Sequence, residues 1–481
     1  MAMSRAEMLN RFRNKAEHFG EKATMESILS HLQGAYRDIP AQKPIDRYRW
    51  DLSDDVIEIP AAPHRHGRGR GKVPAVFGLG TPWRRGRAMQ AFDDSVVQFF
   101  NRCGLLMKTS SLLALPVFAF VLVTGVVERV CSQSVDPVQA LAALQDKILS
   151  KGPHGEEPSP ASSVSLTSEE IEKIRGLKAK AAIVMHYTRS DWSQAQVAGI
   201  RSQFDKMGIE IIAVTDAGFQ AERQVTDIEM VLAQNPQVIV SIPTDSVSTA
   251  VAYKKASQNG VKLVFMDNVP LGFEAGKDYV SVVSADNYGN GVASAHLMAK
   301  ALHSSGEIGL VYYAADFFVT NQRYLAFKAT ITKDYPGIRI VAEQGIREPD
   351  FFNDANKAAS LMLSRNQNLS AIWAVWDLPA EGVMSAARAL DRRNLVITTI
   401  DLGLNVAVDM AQNGFIKGVG AQLPFDQGVT EALLAGYGLL GKPAPAYVAL
   451  PALPVTRENL IDAWRTVYHT GVPASITDRM K

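Results

Sequence analysis

The chain has 481 residues, 47% of them hydrophobic and 21% charged, with a formal net charge of +1. That length holds two or three domains of ordinary soluble composition, and the near-neutral charge gives no reason to expect nucleic acid as a partner. Two cysteines cannot build a disulfide framework, and Cys103 and Cys131 lie on opposite sides of an apolar segment.

Residues 1–106 show little periodicity. The stretch 4–36 suits one or two helices. After it come APHRHGRGRGK and TPWRRGR, which read as a mobile basic tail. His64 and His66 have no carboxylate or cysteine cluster beside them to complete a metal site. The segment 107–132 contains the uncharged run SLLALPVFAFVLVTGVV at 111–127, roughly as long as the shortest spanning helices. Two readings fit it. One is a retained membrane anchor with basic residues on its inner side. The other is a signal peptide starting at Met107, with Lys108 before the apolar centre; residues 1–106 would then be untranslated. Both send the rest of the chain across the membrane. Residues 133–178 read as a helix, PVQALAALQDKIL, followed by a linker, KGPHGEEPSPASS.

From Lys180 short apolar runs alternate with helical patterns. Strands are expected at 181–185, 209–214, 237–242, 262–266, 279–283, 307–313, 338–343, 371–375 and 395–400. The helical stretches SQAQVAGIRSQFDKMG and STAVAYKKASQNG each end in glycine, a common helix stop. Runs apolar on both faces predict parallel strands covered by helices. Nearly 300 residues of this pattern predict an α/β fold of two doubly wound parallel-sheet lobes, preceded by one apolar helix.

In such sheets ligands bind beyond the carboxyl ends of the strands. The residues there are Asp191 and Trp192, Asp245, Asp267 and Asn268, Trp376 and Asp377, and Asp401. One Asp at a strand-to-helix junction is commonly a helix cap, and that reading stays open for Asp245 and Asp377. Tryptophans beside carboxylates at several strand ends are not explained by capping. Aromatic faces pack on the C–H surfaces of a sugar, while carboxylates, Arg323 and Gln422 exchange hydrogen bonds with its hydroxyls. Asp267 and Asp401 would also suit a glycosidase pair. No G-x-S-x-G, P-loop or H-E-x-x-H motif is present. GNG at 289–291 lacks the third glycine of a dinucleotide fingerprint. The expectation is therefore binding without catalysis, with no cofactor and no metal.

Several stretches taken in order resemble the periplasmic sugar-binding proteins of ABC transporters, in the ribose/galactose-binding group: SDWSQAQVAGI, IPTDSVSTAV, VKLVFMDN, VSADNYGNG, NQRYLAF, WAVWDLPAEGVMSAARAL, TIDLG and AQLPFDQG. The resemblance covers residues 180 to about 470 and implies the type I periplasmic binding protein fold. It implies three chain crossings, near Ser284, Gln422 and Val455. The first lobe is then 179–284 plus 423–455, and the second 285–422 plus 456–478. It assigns Trp192 to stacking, Asp267 and Asp401 to hydroxyl binding, Arg323 to the binding arginine, Phe351 to an aromatic of the second lobe, and Gln422 to the point where ligand and hinge meet. Trp192 is followed by Ser193 rather than a second aromatic, Asn268 replaces an arginine, and Trp376 replaces an asparagine. These departures argue against ribose itself and leave pentoses, hexoses, furanoses and polyols open. His186 occupies a pocket-lining position in the family, but its spacing reads rather as a satisfied strand-end histidine. The implied partners are a sugar or polyol and an ABC transporter permease, with the protein periplasmic and monomeric. An anchored sugar sensor that signals to another membrane protein is the alternative.

Overall fold

The computed structural model describes residues 134–145 and 147–481. The basic region 1–106 and the apolar run 111–127 lie outside the described residues. Among the described residues no helix is long and apolar enough to cross a membrane.

Two sheets organise the chain. The first runs β1-β12-β6-β5-β4-β2-β3. Its strands are β1 (Ser159–Pro160), β2 (Lys180–Met185), β3 (Glu210–Asp216), β4 (Val238–Ser241), β5 (Lys262–Met266), β6 (Ser281–Ala285) and β12 (Tyr447–Leu450). Every pairing in it is parallel. The second runs β13-β11-β10-β9-β7-β8, built from β7 (Gly306–Tyr313), β8 (Ile338–Ile346), β9 (Leu369–Ala374), β10 (Val396–Ile400), β11 (Ile416–Ala421) and β13 (Leu453–Val455). Here β13 pairs antiparallel to β11; the other pairings are parallel. Helices cover both faces, so strands such as β4 and β6 are buried along their whole length. This is why they read as unbroken apolar runs and not as alternating ones.

The helices are α1 (Pro137–Ala143), α2 (Ser168–Leu177), α3 (Asp191–Met207), α4 (Ala221–Leu232), α5 (Ala250–Gln258), α6 (Asn287–Ala301), α7 (Phe318–Asp334), α8 (Phe351–Arg365), α9 (Asp377–Ala389), α10 (Leu404–Ala411), α11 (Pro424–Leu440), α12 (Leu460–Tyr468) and α13 (Ala474–Met480). Several begin on side-chain caps that place the site. Ser190 caps α3 through the N–H of Ser193, and Asp286 caps α6 through that of Gly289. At its other end α3 stops at Gly208, in the left-handed conformation.

The chain passes between the sheets three times. After β6 it enters α6, which packs on β10, β11 and β13 of the second sheet. After β11 it enters α11, which returns to α3 and β5 of the first. The third passage falls at Pro451 and Ala452, because β12 lies in the first sheet and β13 already in the second. The expected position near Val455 is thus corrected. The expected linker is corrected as well. Part of KGPHGEEPSPASS pairs as β1 with β12, and the N–H groups of Leu149 and Ser150 donate to the Asp286 carboxylate, each at 2.8 Å. The GNG run lies within the first two turns of α6. A Cβ at Gly291 would lie 2.4 Å from the carbonyl oxygen of Arg323, so this glycine lets α7 approach α6.

Candidate functional site

The carboxyl ends of both sheets face one cavity of about 100 Å³. From the first sheet, β2 delivers His186 and Tyr187, and the cap at Ser190 starts α3 so that Trp192 lies in its first turn. Asp267 follows β5. From the second sheet come Tyr313 at the end of β7, Phe351 at the start of α8, Trp376 and Asp377 after β9, Asp401 after β10 and Gln422 after β11, with Arg323 on α7.

Asp267 and Asp401 hold corresponding places, each the first residue past its strand. Both have positive φ, 56° and 69°. Non-glycine residues seldom adopt this left-handed conformation, although Asp tolerates it better than most. Such strain concentrates at functional sites.

The charged groups form one continuous hydrogen-bonded chain. The Ser284 hydroxyl donates to Asp267 Oδ1 at 2.6 Å. Asn287 Nδ2 donates to Ser284 Oγ at 3.0 Å, and Asn287 Oδ1 accepts from Arg323 Nε at 2.7 Å. Arg323 Nη1 reaches Asp401 Oδ2 at 3.3 Å, and Gln422 Nε2 donates to Asp401 Oδ1 at 2.7 Å. Ser284 and Asn287 flank the first passage between the sheets, and Gln422 lies at the second.

Around this chain the aromatic rings interlock. Phe351 meets Trp376 edge-on at 5.0 Å, and Tyr313 contacts both. Two ring pairs close the gap between the lobes, Phe219 with Phe351 at 5.2 Å and His186 with Phe317 at 6.3 Å. Burial pushes the Asp267 carboxyl up to about 6, against the pull of Ser284 and Arg323. Burial, reinforced by the neighbouring Asp401 charge, raises Asp377 well above the usual carboxylate range. Burial depresses His186 to about 4, keeping it neutral.

A model of the periplasmic binding protein domain matches residues 181–442, more than half of the chain. The chain belongs to the periplasmic binding protein family. This is a family of binding proteins and not of enzymes. The D-ribose/D-allose-binding protein of Pseudomonas aeruginosa is 27% identical over 239 residues, which span 49% of this chain and 72% of that protein. A periplasmic solute binding protein from Actinobacillus succinogenes with bound D-allose superposes with a TM-score of 0.54 at 21% identity, covering 59% of this chain and 100% of that one. A solute binding protein from Agrobacterium vitis with bound allitol gives 0.53 at 20% identity, covering 60% and 98%. The architecture is that of a type I periplasmic binding protein.

Of the ten residues singled out in the sequence, this binding protein brings eight to the cavity wall: Trp192, Asp267, Arg323, Phe351, Trp376, Asp377, Asp401 and Gln422. Asp191 and Asn268 are not among the residues that line the cavity. The Asp191 carboxylate accepts the N–H of Leu404 at 2.7 Å, so it caps α10 across the cleft from the opposite lobe. The Asn268 amide turns back to the Pro243 carbonyl at 3.2 Å. The capping alternative does not hold for Asp245: it accepts from the N–H groups of Val247 and Ser248 in the turn before α5, whose N-cap is Thr249. His186 differs from the satisfied histidine expected: it lines the cavity, and its Nδ1 has no partner among the described residues. Tyr187, Phe219, Tyr313 and Phe317 also line the cavity and were not singled out. Phe219 and Phe317 follow strands β3 and β7, the same position that drew attention to Trp192. Among the described residues no cluster of three or more His, Cys, Asp or Glu is gathered to hold a metal ion.

Proposed function

We propose that this protein captures a small sugar or polyol between its two lobes in the periplasm and delivers it to an ABC transporter permease. The observation that carries the reading is the convergence of aromatic faces and a hydrogen-bonded chain of charged groups on one cavity. Flat rings match C–H faces, and fixed carboxylates and guanidinium match hydroxyls. An analogue lacking a hydroxyl would leave buried polar groups unpaired and be rejected. The relatives are named for ribose and allose, and structures sharing the fold hold D-allose and allitol, which supports the same ligand class here. Closure would bring together the surfaces of both lobes for docking on the permease.

Calorimetric titration of the folded protein with pentoses, hexoses and alditols tests the proposal. Binding of at least one member, with compaction in small-angle scattering, is the expected result. A folded protein that binds none of them overturns it.

A further inference from the structure

The charged groups on the cavity wall are unequal in sign. Asp267, Asp377 and Asp401 are the acids, and Arg323 is the one cationic side chain among the lining residues, His186 being neutral. Arg323 is committed through Nε and Nη1, while its Nη2 has no partner among the described residues. Its Nε serves Asn287, and its Nη1 serves the Val375 carbonyl and Asp401. Asp401 is therefore compensated by Arg323 and bonded by Gln422. Burial and the Asp401 charge favour the protonated form of Asp377. Asp267 remains. Among the described residues its carboxylate receives only the Ser284 hydroxyl, on Oδ1, and Oδ2 is left for the cavity. The Arg323 charge acts on Asp267 without a hydrogen bond to it, and Glu431, buried near Asp267, is itself a carboxyl raised by burial.

The wall also carries further unpaired acceptors. Gln422 Oε1 is buried without a partner and can only accept, and Nδ1 of the neutral His186 can accept in one of its tautomers. Trp192 Nε1 and Arg323 Nη2 are the opposing donors. A group with three donors, no acceptor and one positive charge complements Asp267 and these acceptors better than a hydroxyl, which must also find a donor for itself. Aromatic walls suit the same group, because ring faces attract a desolvated cation.

Resting on the sugar-or-polyol reading, we propose that the ligand of this cavity is an amino sugar or amino polyol, with its protonated amine seated against Asp267 inside the aromatic walls. A ligand bearing a carboxylate or phosphate would meet an unpaired like charge and be excluded.

The test titrates the full chain by calorimetry with matched pairs: D-glucosamine and D-glucose, D-galactosamine and D-galactose, D-glucamine and D-glucitol. D-glucuronate serves as the anionic arm. At least one amine should bind about tenfold or more tightly than its hydroxyl partner, equivalent to about 1.4 kcal/mol, and glucuronate should not bind. In D267N the ratio within that pair should fall to near one. Neutral members binding as tightly as their amines would overturn the amine assignment and leave the sugar-or-polyol reading standing. A preference that survives in D267N overturns the placement at Asp267. Binding of no member, charged or neutral, overturns both readings.

Discussion

Replacing Asp267 by Asn tests directly whether the site is bought at the expense of stability. The side chain is 3% exposed, and burial moves its carboxyl from 3.8 to about 6. The folded protein therefore holds this proton more tightly than the unfolded chain does. Stability from this group is fully present below 3.8 and is lost as pH rises to about 6. Above that, the folded state carries a buried charge at a cost of about 3 kcal/mol, taking 1.36 kcal/mol for each pH unit between the two values. Asparagine keeps the shape, tolerates the left-handed backbone and still accepts from Ser284, but cannot ionise. Unliganded D267N should thus be more stable than the parent at pH 7.5, by up to about 3 kcal/mol. Thermal unfolding would show this as a midpoint several degrees higher. The gain should shrink towards zero at pH 4, while sugar affinity falls at every pH. A gain that does not change with pH, or a variant less stable than the parent at pH 7.5, would refute the reasoning.

Arg323→Met leaves Asp401 buried with no cation and breaks the bond to Asn287; a loss of about 3–5 kcal/mol and of measurable ligand binding is expected by denaturation and calorimetry. Asp191→Ala removes the bond that joins the α3 N-terminus to Leu404 across the cleft; the unliganded protein should expand in small-angle scattering while its thermal midpoint changes little. His186 sits near 4 in the fold against 6.5 when exposed. Its contribution is intact above 6.5 and is lost as pH falls towards 4, by about 3 kcal/mol, so H186N should unfold at lower pH than the parent in an acid titration.

The sequence shows strands most clearly where burial on both faces makes them continuous, as in AAIVM and QVIVSI. It hides β11, β12 and β13. The first of these carries glycines at 418 and 420, and the other two are short and set among prolines. Those strands set the third passage between sheets, so its position could not be read. The site is legible because chemistry gathers at strand ends, a rule that needs only order along the chain. Side-chain direction is a different matter. Asp267 and Asn268 are adjacent, yet the left-handed turn at Asp267 sends one carboxylate to the cavity and the next amide back to Pro243. Asp191 sits one residue from Trp192 but answers to a helix 213 positions later in sequence. Phe219 has no acidic neighbour past β3, and Phe317, which does have Asp316 beside it, lies further along its loop than the residues that directly follow the strand.

Ligand contact and lobe movement are mechanically inseparable in this architecture. Three of the four ionisable acid and guanidinium groups on the cavity wall are braced by a residue where the chain leaves one sheet for the other: Asp267 by Ser284, Arg323 by Asn287, Asp401 by Gln422. An opening that rotated the lobes about those same residues would disturb the bonds that aim the acceptors. A guest bonded to Asp267 on one side and to Asp401 and Arg323 on the other gains its full set of contacts in the closed form alone. It shifts the population towards closure by that difference in affinity and by nothing else. Contacts such as Phe219 with Phe351, and Asp191 with Leu404, then set how far the empty protein already leans that way. Weakening the Asp191 contact should therefore lower apparent affinity without touching any group on the cavity wall, a loss that measures the closing equilibrium and not the chemistry of recognition.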